Sequence, residues 1–221
     1  MKIENDLYAY FWQNPYENNC NTYIIKGNNS ILIDPGHLRY ISQLFRQMER
    51  DGISPNQIDM VIVTHSHPDH FEGIEAFVEK HTKIVMSREE ERYLKDNGRL
   101  LFEMMGQSVP KYRIDFFLKE GELKINGMDF LVFLTPGHSP GSISIYWPEK
   151  KTIFTGDLIF YGGVGRTDFI EGDSNLLVKS IERIAKLDIE RVLAGHGEMV
   201  QGREMVLENF EFIRQNIYPY L

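Results

Sequence analysis

One cysteine, Cys20, stands in a chain of 221 residues, so no disulfide can form within it and its chemistry suits a reducing compartment. Basic residues are also scarce. Lys and Arg number 24 against 32 Asp and Glu, a formal charge of −8, which disfavours a sequence-independent grip on phosphates. Nucleic acid is not an expected partner. Long apolar runs are missing too: the opening MKIENDLYAYFW has no signal-peptide core, and no later stretch is of bilayer length. The expected location is the cytoplasm, with no membrane partner. Repeats, low-complexity tracts and linkers are absent. What remains is an ordinary globular composition, 42% hydrophobic and 25% charged. Its length fits one domain, residues 1–221, with a core two or three layers deep.

Each half of the chain reads as a run of strands followed by strand–helix units. LYAYFW, NTYIIKG and SILIDPG are strands, with GNN as the turn between the last two. HLRYISQLFRQMERDG then carries Ile41, Leu44, Phe45 and Met48 at helical spacing and stops at Gly52. Strand MVIVT, a His-rich loop, helix FEGIEAFVEKH and strand KIVM follow. SREEERYLKDNG opens on a capping-box pattern, Ser87 and Glu90. The second half repeats the plan: strands GELKING, MDFLVFLT, SISIYW and KTIFTG, helix SNLLVKSIERIAKL, strand RVLAG and helix REMVLENFEFIRQNI. Residues 97–116 fit neither half and are expected to form a lid. The pattern predicts an α/β fold, a four-layer αββα sandwich of two mixed sheets face to face with helices outside.

Against this background the seven histidines are unevenly placed. VIVTHSHPDH puts His65, His67, Asp69 and His70 within six positions, just where a buried strand ends. Crowding imidazoles and a carboxylate is electrostatically awkward unless a cation sits among them. His138 follows a strand in FLTPGHSPGS, Asp157 follows one in IFTGDLIF, and His196 follows one in VLAGHGE. Loops at strand ends on one edge of a sheet converge, so ligands distant in sequence can meet there. A lone loop histidine is ordinarily just solvated; five of seven placed this way argue for ligation.

THSHPDH, TPGHSPGS, TGDLIF and AGHG, in this order and spanning nearly the whole chain, resemble the motifs of the metallo-β-lactamase-fold hydrolases. The resemblance implies two metal sites. His65, His67 and His138 would hold one metal, Asp69, His70 and His196 the other, and Asp157 would bridge them; Asp69 and Asp157 are the candidate catalytic carboxylates. Three private ligands and one shared carboxylate per metal leave positions open for a bridging hydroxide as nucleophile. The expected cofactors are two divalent ions, zinc first, with iron or manganese as alternatives.

Departures from sub-family patterns narrow the reaction. No Cys accompanies Asp157, unlike the lactamases with a thiolate ligand. His67 stands where the diiron flavoproteins of this fold have Glu. Phe160 occupies the position of the Tyr of acyl-homoserine lactonases. GDLIFYGGVGRTDF is similar to the glyoxalase II-like thioester hydrolases, with Gly162, Gly163 and Gly165 allowing a tight turn beside the metals. The resemblance thus implies a hydrolase acting on a small-molecule thioester. Its alternatives are a mononuclear iron persulfide dioxygenase, using His65, His138 and Asp157, and a lactonase. Only 25 residues follow His196, with no helical glutathione-binding domain among them, so the thiol carrier stays open, as does the oligomeric state.

Five other residues carry expectations. Asp34, ending strand SILID, either orients a ligand histidine or caps a turn. His37 reads as an exposed loop residue, His81 as a surface residue at a helix end, and Cys20 as a small buried side chain. Arg166 reads as the partner of a carboxylate beneath the site, with substrate binding as the other role.

Overall fold

Odd and even residues of the same strand serve different cores, and that alternation builds the layers. The computed structural model describes every residue except Pro15 and Asn126. The first sheet comprises β1 (Leu7–Tyr10), β2 (Thr22–Ile25), β3 (Ser30–Ile33), β4 (Ile58–Ile62), β5 (Lys83–Ser87) and β6 (Phe116–Leu118), paired in that order. Its first three strands are antiparallel, and β3 to β6 run parallel. The second half supplies β7 (Gly121–Ile125), β8 (Met128–Leu134), β9 (Ile143–Trp147), β10 (Thr152–Gly156), β11 (Ile159–Phe160), β12 (Gly163–Val164), β13 (Arg191–Ala194) and β14 (Val200–Gln201). These form a sheet in the order β14-β13-β10-β9-β8-β7, with β11 and β12 as a separate hairpin. Only β10 and β13 are parallel in it.

Ile31 and Ile33 of β3 point inward, with Ile62 and Val85, against Phe130, Val132, Ile145, Trp147 and Phe154 of the second sheet. Leu32, Val61 and Ile84 point the other way, onto Ile41, Leu44 and Met48 of α1 (Ile41–Arg50) and onto Phe71, Ile74 and Phe77. The second sheet's outer face, Tyr146, Ile153 and Val192, is covered by later helices. These follow α2 (Pro68–Phe71), α3 (Arg88–Tyr93) and α4 (Arg99–Met104) in the chain. They are α5 (Ser174–Ile184), through Leu177, Ile181 and Ile184, and α6 (Arg203–Asn216), through Val206, Phe210 and Ile213. The result is the αββα sandwich. Trp147 and Phe154 are fully buried at its centre, where truncating such a ring to Ala costs about 3–5 kcal/mol. Among the described residues no helix is long and apolar enough to cross a membrane.

Three local expectations are corrected. The helix expected over FEGIEAFVEKH is the short α2 followed by a 3-10 stretch, Glu72–Phe77. The reason is diverted backbone bonding: Gly73 N–H donates to Gly36 O at 2.7 Å, while Asp69 O accepts from Cys20 N–H. The capping box at Ser87 is half formed. Ser87 Oγ accepts from Glu90 N–H at 3.0 Å, but the Glu90 carboxylate turns into the interior. Residues 97–116 hold α4 and a coil leading to β6; their share in the cavity is described below.

Candidate metal centre

The strand ends deliver the candidate ligands to one edge. The loop after β4 carries His65 and His67 and runs into α2 with Asp69 and His70. The loop after β8 brings His138, the end of β10 brings Asp157, and the end of β13 brings His196. All seven residues converge. Ligand atoms of His65, His67 and His138 lie within 4.8 Å of one another, as do those of Asp69, His70 and His196, and those of His65, His70 and Asp157. Asp157 faces both outer groups: its Oδ2 is 3.5 Å from His138 Nε2 and 3.4 Å from His196 Nε2. Its Oδ1 is 3.2 Å from His70 Nε2.

The Nδ1 side of three of these rings is already occupied, which turns their Nε2 toward the centre. His138 Nδ1–H donates to the Arg166 carbonyl at 2.7 Å, and His70 Nδ1–H donates to Asp34 Oδ2 at 2.9 Å. Thr64 Oγ1–H also donates to Asp34 Oδ2, at 2.7 Å, so it accepts from His65 Nδ1–H at 3.1 Å. Asp34 thus orients two ligand candidates at once, one directly and one through Thr64. Thr64 N–H donates to its other oxygen at 2.8 Å. These bonds hold Asp34 at a φ of +54°, a left-handed conformation that is uncommon outside glycine.

Whether the group fits a cation can be judged from its donors. Nε2 of His65, His67 and His138 are buried without a hydrogen-bond partner among the described residues. Each unpaired buried atom costs on the order of 1–3 kcal/mol, and three lone pairs aimed at one point are compensated by a positive ion. Imidazole and carboxylate donors suit zinc, iron and manganese. Burial, and after it the neighbouring histidines, hold His65 and His67 well below the ordinary histidine range, so both are neutral donors. His70 and His196 behave oppositely. Burial pulls them down, but Asp157 beside them prevails, pushing His70 well up and His196 to about 10. Burial pushes Asp157 and Asp69 up; the charges of His196 and His70 outweigh it and hold both carboxyls low.

Several supporting residues escaped the sequence reading. Glu90 is fully buried and accepts from Ser66 N–H and Oγ–H at 2.8 Å, from Ser139 Oγ–H at 2.6 Å and from Gly141 N–H at 2.9 Å. It ties the loop of His65 and His67 to the loop of His138. The serines flanking these histidines were the available signal. Asn21, also buried, donates to Ala194 O at 3.1 Å and Gly197 O at 2.9 Å, on either side of His196. Asn18 Nδ2–H donates to Asp69 Oδ2 at 2.8 Å. Two glycines are sterically required: a Cβ on Gly195 would lie 2.2 Å from Asp157 Oδ1, and one on Gly165 would lie 1.9 Å from Asp157 O.

Other expectations resolve as follows. Cys20 is buried. His81 is exposed, 3.4 Å from Asp59 Oδ1. His37 is not exposed: it is buried and pairs through Nδ1 with Glu72 Oε2 at 2.8 Å, a partner 35 positions away. Arg166 does not reach a carboxylate beneath the site. It pairs with Asp168 at the rim, at 2.7 and 2.9 Å, and stacks on Phe169. Over the centre lies a cavity of about 400 Å³ lined by ligand candidates and by apolar side chains, Leu101 and Met105 among them. Residues 97–116 thus contribute one wall.

A sandwich of this layering, with imidazoles and carboxylates gathered at the strand ends, is a scaffold of the class that holds divalent metals. The model of the metallo-beta-lactamase superfamily matches residues 15–196. The chain belongs to that superfamily. It is 37% identical over 195 residues to a probable metallo-hydrolase of Methanocaldococcus jannaschii, covering 84% of this chain and 91% of that one. It is 33% identical to the hydroxyacylglutathione hydrolase GloC of Haemophilus influenzae, covering 82% and 86%. Among solved structures it is similar to the B3 metallo-beta-lactamase BLEG-1, with a TM-score of 0.75 at 27% identity over 91% of this chain and 95% of that one. The di-iron-bound form of TTHA1623 gives 0.70 at 29% identity over 89% and 94%.

Proposed function

We propose that this metallo-hydrolase cleaves small-molecule thioesters at a centre of two divalent ions, zinc first, with iron or manganese able to replace it. His65, His67 and His138 would hold one ion, Asp69, His70 and His196 the other, and Asp157 both. The observation that carries this reading is the position of Asp157, one oxygen of which lies within 3.5 Å of a histidine from each group. When bound, such ions bring a water pKa from 15.7 to about 7 and polarise a carbonyl.

The chain's own residues supply the rest. Asp34, Thr64 and the Arg166 carbonyl fix three rings in the tautomer whose Nε2 lone pair faces inward. Apolar side chains in the cavity walls, Leu101, Phe160 and Phe169 among them, shield one side of a bound acyl group from water. The residues lining it include no Tyr, Lys, Ser or Thr among the described residues, so a general acid for an alkoxide leaving group is lacking. A thiolate, whose thiol has a pKa near 8.5, leaves without one. Phe160 lines the cavity where a lactone opener would have a hydroxyl, and similarity to a hydroxyacylglutathione hydrolase supports the same choice.

The test is turnover of S-lactoylglutathione, a glutathione-free thioester, a homoserine lactone and glutathione persulfide by zinc-, iron- and manganese-loaded protein. Thioester hydrolysis is expected. Oxygen uptake with the persulfide by iron-loaded protein, with no thioester turnover under any metal, would overturn the proposal.

A further inference from the structure

We infer that the acyl half of the substrate is an apolar chain, seated on Leu101, Met105, Phe160, Val164 and Phe169; this rests on the thioester reading above. Beyond the candidate ligands, these five residues and Pro68 make the apolar walls of the cavity of about 400 Å³, and Asn18, Gly165 and Arg166 complete its lining. Leu101 and Met105 come from α4 and its end, Phe160 and Val164 from the β11–β12 hairpin and Phe169 from the coil after it, so three separate segments present apolar surface to one space. Phe169 packs edge-on against His67, with ring centroids 5.3 Å apart, which carries the apolar wall up to the ligand group itself.

The polar groups in the walls are already engaged. Asn18 donates to Asp69, and Arg166 donates through Nε and Nη2 to Asp168 while its Cζ lies 4.4 Å from the centre of the Phe169 ring. Arg166 is the only Lys or Arg among the described lining residues, and its charge is neutralised in place. A glutathione thioester brings two carboxylates that would find no uncommitted cation there. A fatty acyl chain needs none, and burying each methylene in such walls favours binding about fourfold.

The experiment uses straight-chain thioesters of N-acetylcysteamine, a small neutral thiol, from acetyl to hexanoyl, beside S-lactoylglutathione. The expected result is a rise in kcat/KM of roughly two orders of magnitude along the series, with S-lactoylglutathione at the low end. Calorimetry with the uncleavable S-alkyl-N-acetylcysteamine thioethers reads the same walls without turnover. Affinity should climb with chain length at a similar ratio, and Met105→Ser, at a half-exposed side chain, should flatten the climb. Length-independent turnover and binding, or a preference for S-lactoylglutathione, would overturn the inference while thioester hydrolysis itself stood. Length-dependent thioether binding with no thioester cleaved would instead fault the reaction and leave the apolar seat in place.

Discussion

Replacing Glu90 by Ala should both destabilise the protein and weaken one group of candidate ligands selectively. Four donors converge on this buried carboxylate, two of them backbone N–H groups, on Ser66 and Gly141. The serine hydroxyls can turn to other acceptors; the two N–H groups cannot. Each buried donor left without a partner costs on the order of 1–3 kcal/mol, so the loss is about 4 kcal/mol before relaxation. For a chain of this length that corresponds to a fall in Tm of about 8–16 °C. Burial pushes the Glu90 carboxyl up while the Ser139, Ser66 and Gly141 bonds pull it back. Glu90→Gln therefore keeps the shape and one acceptor oxygen, and should lose about half as much. Ser66 sits between His65 and His67, and Ser139 follows His138, so the slack falls on these three rings. Supporting contacts of this kind are worth about 10–100-fold in metal affinity. Thermal unfolding in chelator and in saturating zinc, with metal titration, measures both effects. Unfolding within about 1 kcal/mol of the parent, with both metal equivalents bound at parental affinity, would refute the reasoning.

Asp157→Ala should abolish activity, whereas Asp34→Ala, which disturbs the orientation of His65 and His70, should cost about 10–100-fold; equal losses at matched metal occupancy would show that Asp157 is not shared. Gly195→Ala drives a methyl to 2.2 Å from Asp157 Oδ1, so metal stoichiometry should fall while the far-ultraviolet circular dichroism stays parental; full occupancy would contradict the fit described. After chelation, His196 holds a proton up to a pH of about 10, because Asp157 and Asp69 outweigh burial. A metal must displace that proton and the one that Asp157 and Asp34 hold on His70, so apparent affinity should rise with pH by up to about a hundredfold per unit through the neutral range. Calorimetry in buffers of different ionisation enthalpy counts the protons released, and a release of zero would refute the assignment.

The ligand candidates were legible because each sits in a short segment with Gly or Pro directly after an apolar, strand-like run, and strand ends of one sheet face one way. The layering was legible from the order of elements, a run of strands and then strand–helix units in each half, whereas Ile31, Leu32 and Ile33, whose neighbours lie in different cores, are alike in sequence. Of the residues around the site, Asp34 was legible as one that orients a ligand histidine; the others were not. Glu90 looks like a cap because its local partner is three positions back, while its other partners are 24 to 51 positions away. His37 and Asn21 fail to announce themselves for the same reason, since a single polar residue carries no period. The hairpin of β11 and β12, two residues a side, is too short to alternate.

The two sheets divide the candidate ligands unequally. His65, His67, Asp69 and His70 hang from the first, and His138, Asp157 and His196 from the second. Each ion bound as proposed would therefore be gripped from both slabs, like a rivet through two plates at one rim. The opposite rim is held by side-chain packing and by Glu4, which pairs with Lys150 at 3.2 Å and with Arg191 at 2.8 Å. Stripping the ions should let the slabs breathe at the riveted rim first, and amide exchange there should quicken well before the central Trp147 and Phe154 are exposed. Catalytic competence and cohesion of the two halves would then be lost together.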